Sequence, residues 1–386
     1  MSEDKPSRKK RYWIGSFSLL FLLIGIGWLL YWIFVGRFSV YTNDAYVHGN
    51  EVKVTPQVAG AVEAIFADET DLVEEGSLII SLDSSNYALE MEQLQMALAD
   101  TVREVASLFQ KVASEKAEVV LREAELRQAK LDLSHREGLV ETGAVSLEEF
   151  QTYETAVIVA EAQLEFAKEQ LKADEALIEG TTVETHPRVL QASWALKEAY
   201  LNFIRCQIWA PATGFIAKRT AQVGDQVAAG ETLLFIVPLD QIWLEANFKE
   251  TRLKNLRIGQ PVTYHADMYG RDVEYHGKVV GFQPGTGNAF ALLPPENAAG
   301  NWIKIIQRVP VRITIDSEEI KNHPLLLGLS MDVSVDTHDR DGSRLTDTPT
   351  SRPLYTTTIY QRQLEQMQHL DRPIQNMIKR STWVGP

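Results

Sequence analysis

Eight histidines, one cysteine and 52 acidic residues are the groups in this 386-residue chain that could ligate a metal or move a proton. Their spacing does not suit either task. No His-x-x-x-His or Cys-x-x-Cys pair occurs, so the short spacings that bring two ligands to one metal are missing. No Gly-x-Ser-x-Gly elbow or Ser/His/Asp order is present, and most carboxylates fall on helical faces where solvation accounts for them. Gly281-Phe-Gln-Pro-Gly-Thr-Gly287 has the glycine density of a phosphate loop but lacks the following Lys-Ser/Thr and the helix start. It reads as a β-turn. The lone Cys206 lies among apolar residues, which excludes an internal disulfide framework and suits a small buried hydrophobe. The expectation is a protein with no catalytic residues, no metal and no cofactor.

Composition bounds the alternatives. With 45% hydrophobic and 23% charged residues the chain is globular and long enough for two or three domains. A formal net charge of −14 argues against nucleic acid as a partner, because phosphate binding needs a basic surface. From Tyr12 to Gly36 there is no charged residue, enough to span a hydrocarbon core of about 30 Å. Lys5, Arg8, Lys9, Lys10 and Arg11 precede this run and only Arg37 follows closely, so the N-terminus is expected in the cytoplasm and the rest of the chain across the membrane. The run is too long for a signal peptide, and no small-x-small cleavage site follows it.

Beyond the anchor, a pattern occurs twice. Gly60, Asp71 and Gly76 are matched 154 residues later by Gly214, Asp225 and Gly230, and Val73, Ile79 and Ile80 by Val227, Leu233 and Leu234. Alternating segments such as Val62-Glu-Ala-Ile and Leu78-Ile-Ile-Ser-Leu, broken by Gly and Pro, read as short strands with tight turns. The chain therefore carries a duplicated β half-domain, and a long helical stretch separates the copies.

That stretch has no Pro or Gly from Asn86 to Gly138, and Leu94, Leu98, Val102, Val105, Phe109 and Val112 recur at spacings of three and four. This is an amphipathic helix with a coiled-coil seam. A break at Arg136-Glu-Gly-Leu-Val-Glu-Thr-Gly-Ala-Val-Ser146 is followed by Ser146-Leu-Glu-Glu149, a capping box that starts a new helix. Val157, Ala160, Leu164, Ala167, Leu171 and Leu177 mark the returning seam, Gly180-Thr-Thr interrupts it, and Pro187 opens a last helix. Because both arms must end at neighbouring strands, the simplest structure is an antiparallel helical hairpin. Leu239 to Thr337 alternates again, as a small β-barrel would. After Asp336 the composition turns polar and Pro-rich, the signature of a solvated tail.

The β halves resemble the lipoyl or biotinyl carrier fold. The carrier's lysine is absent here, because its hairpin position is Asp83-Ser-Ser-Asn86. Anchor, split lipoyl halves and inserted hairpin together resemble the periplasmic adaptors, or membrane fusion proteins, of tripartite efflux and secretion systems. Tyr41-Thr-Asn-Asp-Ala-Tyr-Val-His-Gly-Asn50, Ala246-Asn-Phe-Lys-Glu-Thr251, Gly259-Gln-Pro-Val262 and Gly300-Asn-Trp-Ile-Lys304 resemble the HlyD-like branch and its EmrA-type multidrug adaptors. The resemblance implies an elongated multidomain fold of mixed α and β. It comprises a cytoplasmic N-terminus (1–11), a transmembrane helix (12–36), a linker and strand joining the barrel (37–55) and a first lipoyl-like half (56–84). The hairpin (85–206, tip about 136–149), a second lipoyl-like half (207–238), the β-barrel (239–337) and a polar tail (338–386), expected to be disordered with a short helix, complete it.

The implied partners are an inner-membrane drug transporter of the major-facilitator type, a TolC-type outer-membrane channel and further copies in a trimeric or hexameric ring. Adaptors of this kind carry an Arg, a Leu and a Ser at the hairpin tip that dock on the channel. The matching residues are Arg136, Leu139 or Val140, and Ser146, with a spacing about one residue off the commonest pattern. Within the same architecture a type I protein secretion adaptor is the alternative; a biotin or lipoyl carrier module is disfavoured by the missing lysine.

Overall fold

The computed structural model describes residues 8–34, 36–140, 143–290, 306–346, 349 and 351–382. Helix α1 (Arg8–Phe34) is long and apolar enough to cross a membrane by length and composition. Strands β1 (Ser39–Thr42) and β2 (Ala45–Gly49) follow, then β3 (Val52–Val54), β4 (Gly60–Ile65), β5 (Leu72–Val73) and β6 (Leu78–Leu82). Next come α2 (Ser85–Val140), α3 (Leu147–Ile178) and α4 (Pro187–Ile204), followed by β7 (Gln207–Trp209), β8 (Gly214–Arg219), β9 (Gln226–Val227) and β10 (Leu234–Val237). The remainder comprises β11 (Ile242–Lys249), β12 (Pro261–Ala266), β13 (Tyr275–Phe282), β14 (Arg308–Ile313), α5 (Ser317–Asn322), β15 (Met331–Asp336), α6 (Ile359–His369) and α7 (Asp371–Thr382).

The duplicated pattern folds as two interlocked halves. One four-stranded sheet runs β3-β10-β8-β5 and the other β7-β6-β4-β9, so each sheet takes two strands from either side of the insertion. The pairing repeats with the sequence: Val73 lies opposite Gly214, and Val227 opposite Gly60. The turns repeat as well. Asp71 Oδ2 accepts from Asp68 N–H at 2.8 Å, and Asp225 Oδ2 from Gln222 N–H at 2.7 Å. Gly76 and Gly230 take φ of +82° and +84°, a conformation that favours glycine. Val62, Ile79, Ile80, Leu82, Ile216, Leu233, Leu234 and Ile236 fill one shared core, so neither half buries its apolar face alone.

From Ser85 the chain leaves this platform on α2, whose 56 residues extend about 84 Å. Leu98, Val102, Val105 and Val112 are buried along its inner seam. On the return, Leu164 and Ala167 are buried but Leu177 is 55% exposed. The seam runs instead through Asp174, which is buried at the expected helical spacing from Ala167 and Leu171. Lys111 Nζ reaches both oxygens of this carboxylate, at 2.9 and 3.0 Å, and Gln170 donates to it at 3.2 Å. Further out the arms are tied by the cross-arm pairs Lys116–Glu175, Glu123–Lys168 and Lys130–Glu161. Gly180 at φ +68° ends the long return helix, and His186 caps α4 with Pro187 in its first turn.

A seven-stranded sheet, β1-β15-β12-β13-β14-β11-β2, forms the barrel. It closes where Val47 N–H donates to Leu329 O and Gly328 N–H to Val47 O. The stretch 37–55 thus divides: β1 and β2 belong to the barrel, whereas β3 pairs with β10 in the platform. Two of the sequence motifs meet here, because Asn247 N–H donates to Asp44 O (2.7 Å) and Thr42 Oγ1 donates to Asn247 O (2.9 Å). In the third, the Gln260 side chain is buried and bonded at both ends, accepting from Arg257 N–H and donating to Asn255 O, each at 2.9 Å. Gly300 to Lys304 lies outside the described residues.

The end of the chain carries helix where a short one was expected, as the pair α6 and α7, but it is docked rather than solvated. Helices α6 and α7 fold back on the hairpin base, where Ile374 and Ile378 pack with Leu98, Val102, Val105, Val189 and Leu196. On α7 the isoleucines, one turn apart, form a narrow stripe that buries apolar surface to dock it, while α6 buries Ile359 and Gln363.

Candidate functional site

The tip of the hairpin brings the expected residues together on one short connection. Arg136 lies in the last turns of α2; its guanidinium sits 3.7 Å from the centroid of the Tyr153 ring on α3, and its Nη1 donates to Asp132 O at 2.9 Å. It therefore ties the two arms through a cation–π contact and is about 28% exposed. Gly143 turns the chain at φ +68°, with its N–H donating to Val140 O and Ala144 N–H donating to Leu139 O, at 3.1 and 3.0 Å. Leu139 is 43% exposed and Val140 half-buried.

Ser146 is the N-cap of α3: its Oγ accepts from Glu149 N–H at 3.2 Å, while Glu148 and Glu149 in the first turn suit the helix dipole. The residue is exposed, so the cap leaves its hydroxyl open on one side. Two neighbours were not singled out in the sequence. Leu147, 64% exposed, adds to the apolar surface that Leu139 presents, and Tyr153 holds Arg136. A leucine directly after a cap serine reads as ordinary helix start, and the Arg136–Tyr153 pairing depends on the register across the turn.

Elsewhere the titratable groups serve the fold. Burial pushes the Cys206 thiol up to about 11. In the hairpin, the hydrogen bond to Asp174 raises Glu115 above the usual glutamate range, while Lys111 holds Asp174 low. Among the described residues no three His, Cys, Asp or Glu side chains converge as a metal site would require. The tip thus presents two exposed leucines, a serine hydroxyl and an arginine on one short connection.

The hairpin matches the EmrA α-helical hairpin domain over residues 85–206. The multidrug export protein EmrA of Haemophilus influenzae is 43% identical over 354 residues, covering 92% of this chain and 90% of that protein. The chain belongs to the EmrA family. The multidrug export protein EmrA of Escherichia coli K12 is 41% identical over 85% of this chain and 84% of its own length. The fatty acid resistance protein FarA of Neisseria gonorrhoeae is 43% identical over 90% of this chain and 88% of its own. Membership fits the fold: a mixed α and β membrane fusion protein with one apolar N-terminal helix, interlocked β halves and a hairpin inserted between them.

Proposed function

We propose that this EmrA-family chain is the periplasmic adaptor of a tripartite drug efflux pump. It joins an inner-membrane transporter, a proton-driven major-facilitator antiporter, to a TolC-type outer-membrane channel. Helix α1 anchors it in the inner membrane with the N-terminus in the cytoplasm. The observation that carries this reading is the hairpin itself, about 84 Å of α2 ending in a short turn that exposes Leu139 and Leu147. A protein that only filled a core would not project its helices so far from the platform. The names of the relatives support drug export.

The adaptor does no chemistry; it connects. Val120, Ile158 and Phe166 stand 60 to 74% exposed along the arms, apolar surface that a lone hairpin leaves in water. Copies packed side by side in a trimeric or hexameric ring would cover it. The tip leucines, Ser146 and Arg136 then meet the channel. Deletion of the gene should sensitise cells to hydrophobic drugs and uncouplers, and the wild-type gene should restore resistance. Arg136→Asp should fail to restore it at an unchanged protein level, since it loses the Tyr153 contact and reverses the charge at that position. Full resistance with that variant would remove Arg136 from the docking role.

A further inference from the structure

Each sheet of the platform ends on an edge strand, β3 in one and β7 in the other, and where these edges approach, α6 closes a cavity of about 200 Å³. Val54 and Pro56 line it from the β3 side, Arg205 and Ile208 from the junction of α4 with β7, and Ile359 and Gln363 from α6. Two of its polar groups stand without partners. The Nε of Arg205 is buried with no hydrogen-bond partner, and Gln363 is only 9% exposed yet its amide makes no hydrogen bond among the described residues. A buried donor left unmet costs free energy that a bound acceptor would recover.

The lining is also charged in one sense. Lys53 and Arg205 belong to it, none of the described Asp or Glu residues does, and neither cation makes an ion pair among the described residues. In a chain of net charge −14, such a lining selects an anion. Size and apolar wall narrow the class. A cavity of about 150 Å³ holds benzene, so this one admits a molecule of roughly eight to ten heavy atoms. Val54, Ile208 and Ile359 are buried and apolar, so a stem of methylenes can lie against them, whereas a bare inorganic oxyanion would set its oxygens against hydrocarbon. We propose that the cavity binds a short-chain dicarboxylate. One carboxylate lies on the Arg205 guanidinium, whose planar fork suits it, together with the Gln363 amide, and the other lies at Lys53. Because Gln363 belongs to α6, the ligand ties the C-terminal helices to the platform. This inference concerns binding and does not rest on the transport reading.

The test titrates succinate into the full chain in uncharged detergent micelles by isothermal titration calorimetry, with amide exchange to locate the site. Succinate should bind once per chain, and exchange should slow at Arg205 to Trp209 and at Ile359 to Gln363. Succinamide, of the same size without charge, should not compete. Arg205→Gln should weaken binding by about tenfold or more. Lys53 is exposed, so Lys53→Gln folds even where Arg205→Gln does not, and it should weaken binding by about two- to fivefold. No binding of succinate, equal competition by succinamide, protection confined to other segments, or wild-type binding by Lys53→Gln would each overturn the proposal. So would uptake of inorganic phosphate in place of succinate, which would make the site one for a compact oxyanion.

Discussion

Cys206 sits where α4 hands over to β7, with its sulfur 3.5 Å from Asn202 O and its own carbonyl accepting from Leu82 N–H. Burial, with the Asp83 charge adding to it, holds the thiol protonated. Native protein at pH 8 should therefore resist a thiol reagent that labels it fully in denaturant; rapid native labelling would contradict the packing. That reading was available in the sequence, because one cysteine among apolar residues leaves few alternatives. The Ser146 cap was equally legible, since capping depends on a spacing of three residues. Asp174 was not. A charged residue on an apolar stripe reads as solvent-facing until the partner arm supplies Lys111, 63 residues away in sequence. The same limit hid Tyr153 as the partner of Arg136.

Among the elements, the hairpin arms and the twin β halves announced themselves by period and repeat, whereas the tail offered only a short helix and no sign that α6 and α7 dock. Their apolar stripe is narrow, and the surface it covers belongs to α2 and α4, far back in the chain. Docking also uses the platform. Glu75 Oε1 accepts from Thr358 N–H (2.7 Å) and Thr358 Oγ1 (2.8 Å), and Arg362 donates to Gly76 O at 3.1 Å. The Thr358 backbone bond, with the threonine hydroxyls, holds the Glu75 carboxyl below the usual glutamate range. A depressed carboxylate contributes stability above its ordinary range and loses it as pH falls through the folded-state value. The α6–α7 pair should accordingly loosen on acidification. Faster amide exchange at Thr358 to Arg362 would report it, and Glu75→Gln should show fast exchange already at neutral pH. Exchange that is unchanged by acid and by the substitution would remove Glu75 from the clasp.

At the scale of the molecule, the platform launches and receives the hairpin, and the barrel continues from the anchor. Reach then becomes a dimension with a required value. The cross-arm pairs Glu123–Lys168 and Lys130–Glu161 fix the antiparallel register. Removing residues 123–129 together with 162–168 therefore deletes one facing heptad from each arm, shortening the hairpin by about 10 Å while leaving the tip intact. Drug resistance should fall with protein level and membrane insertion unchanged; full resistance would mean that arm length is not under constraint. The central claim is that the tip touches an outer-membrane channel, and site-specific photo-crosslinking in cells tests it most directly. A photoreactive amino acid at Leu147 should give an adduct with a TolC-type channel, and one at Phe166, midway along the arm, should give adducts between copies of this chain. Adducts from Leu147 only with inner-membrane proteins or with other copies would contradict the account.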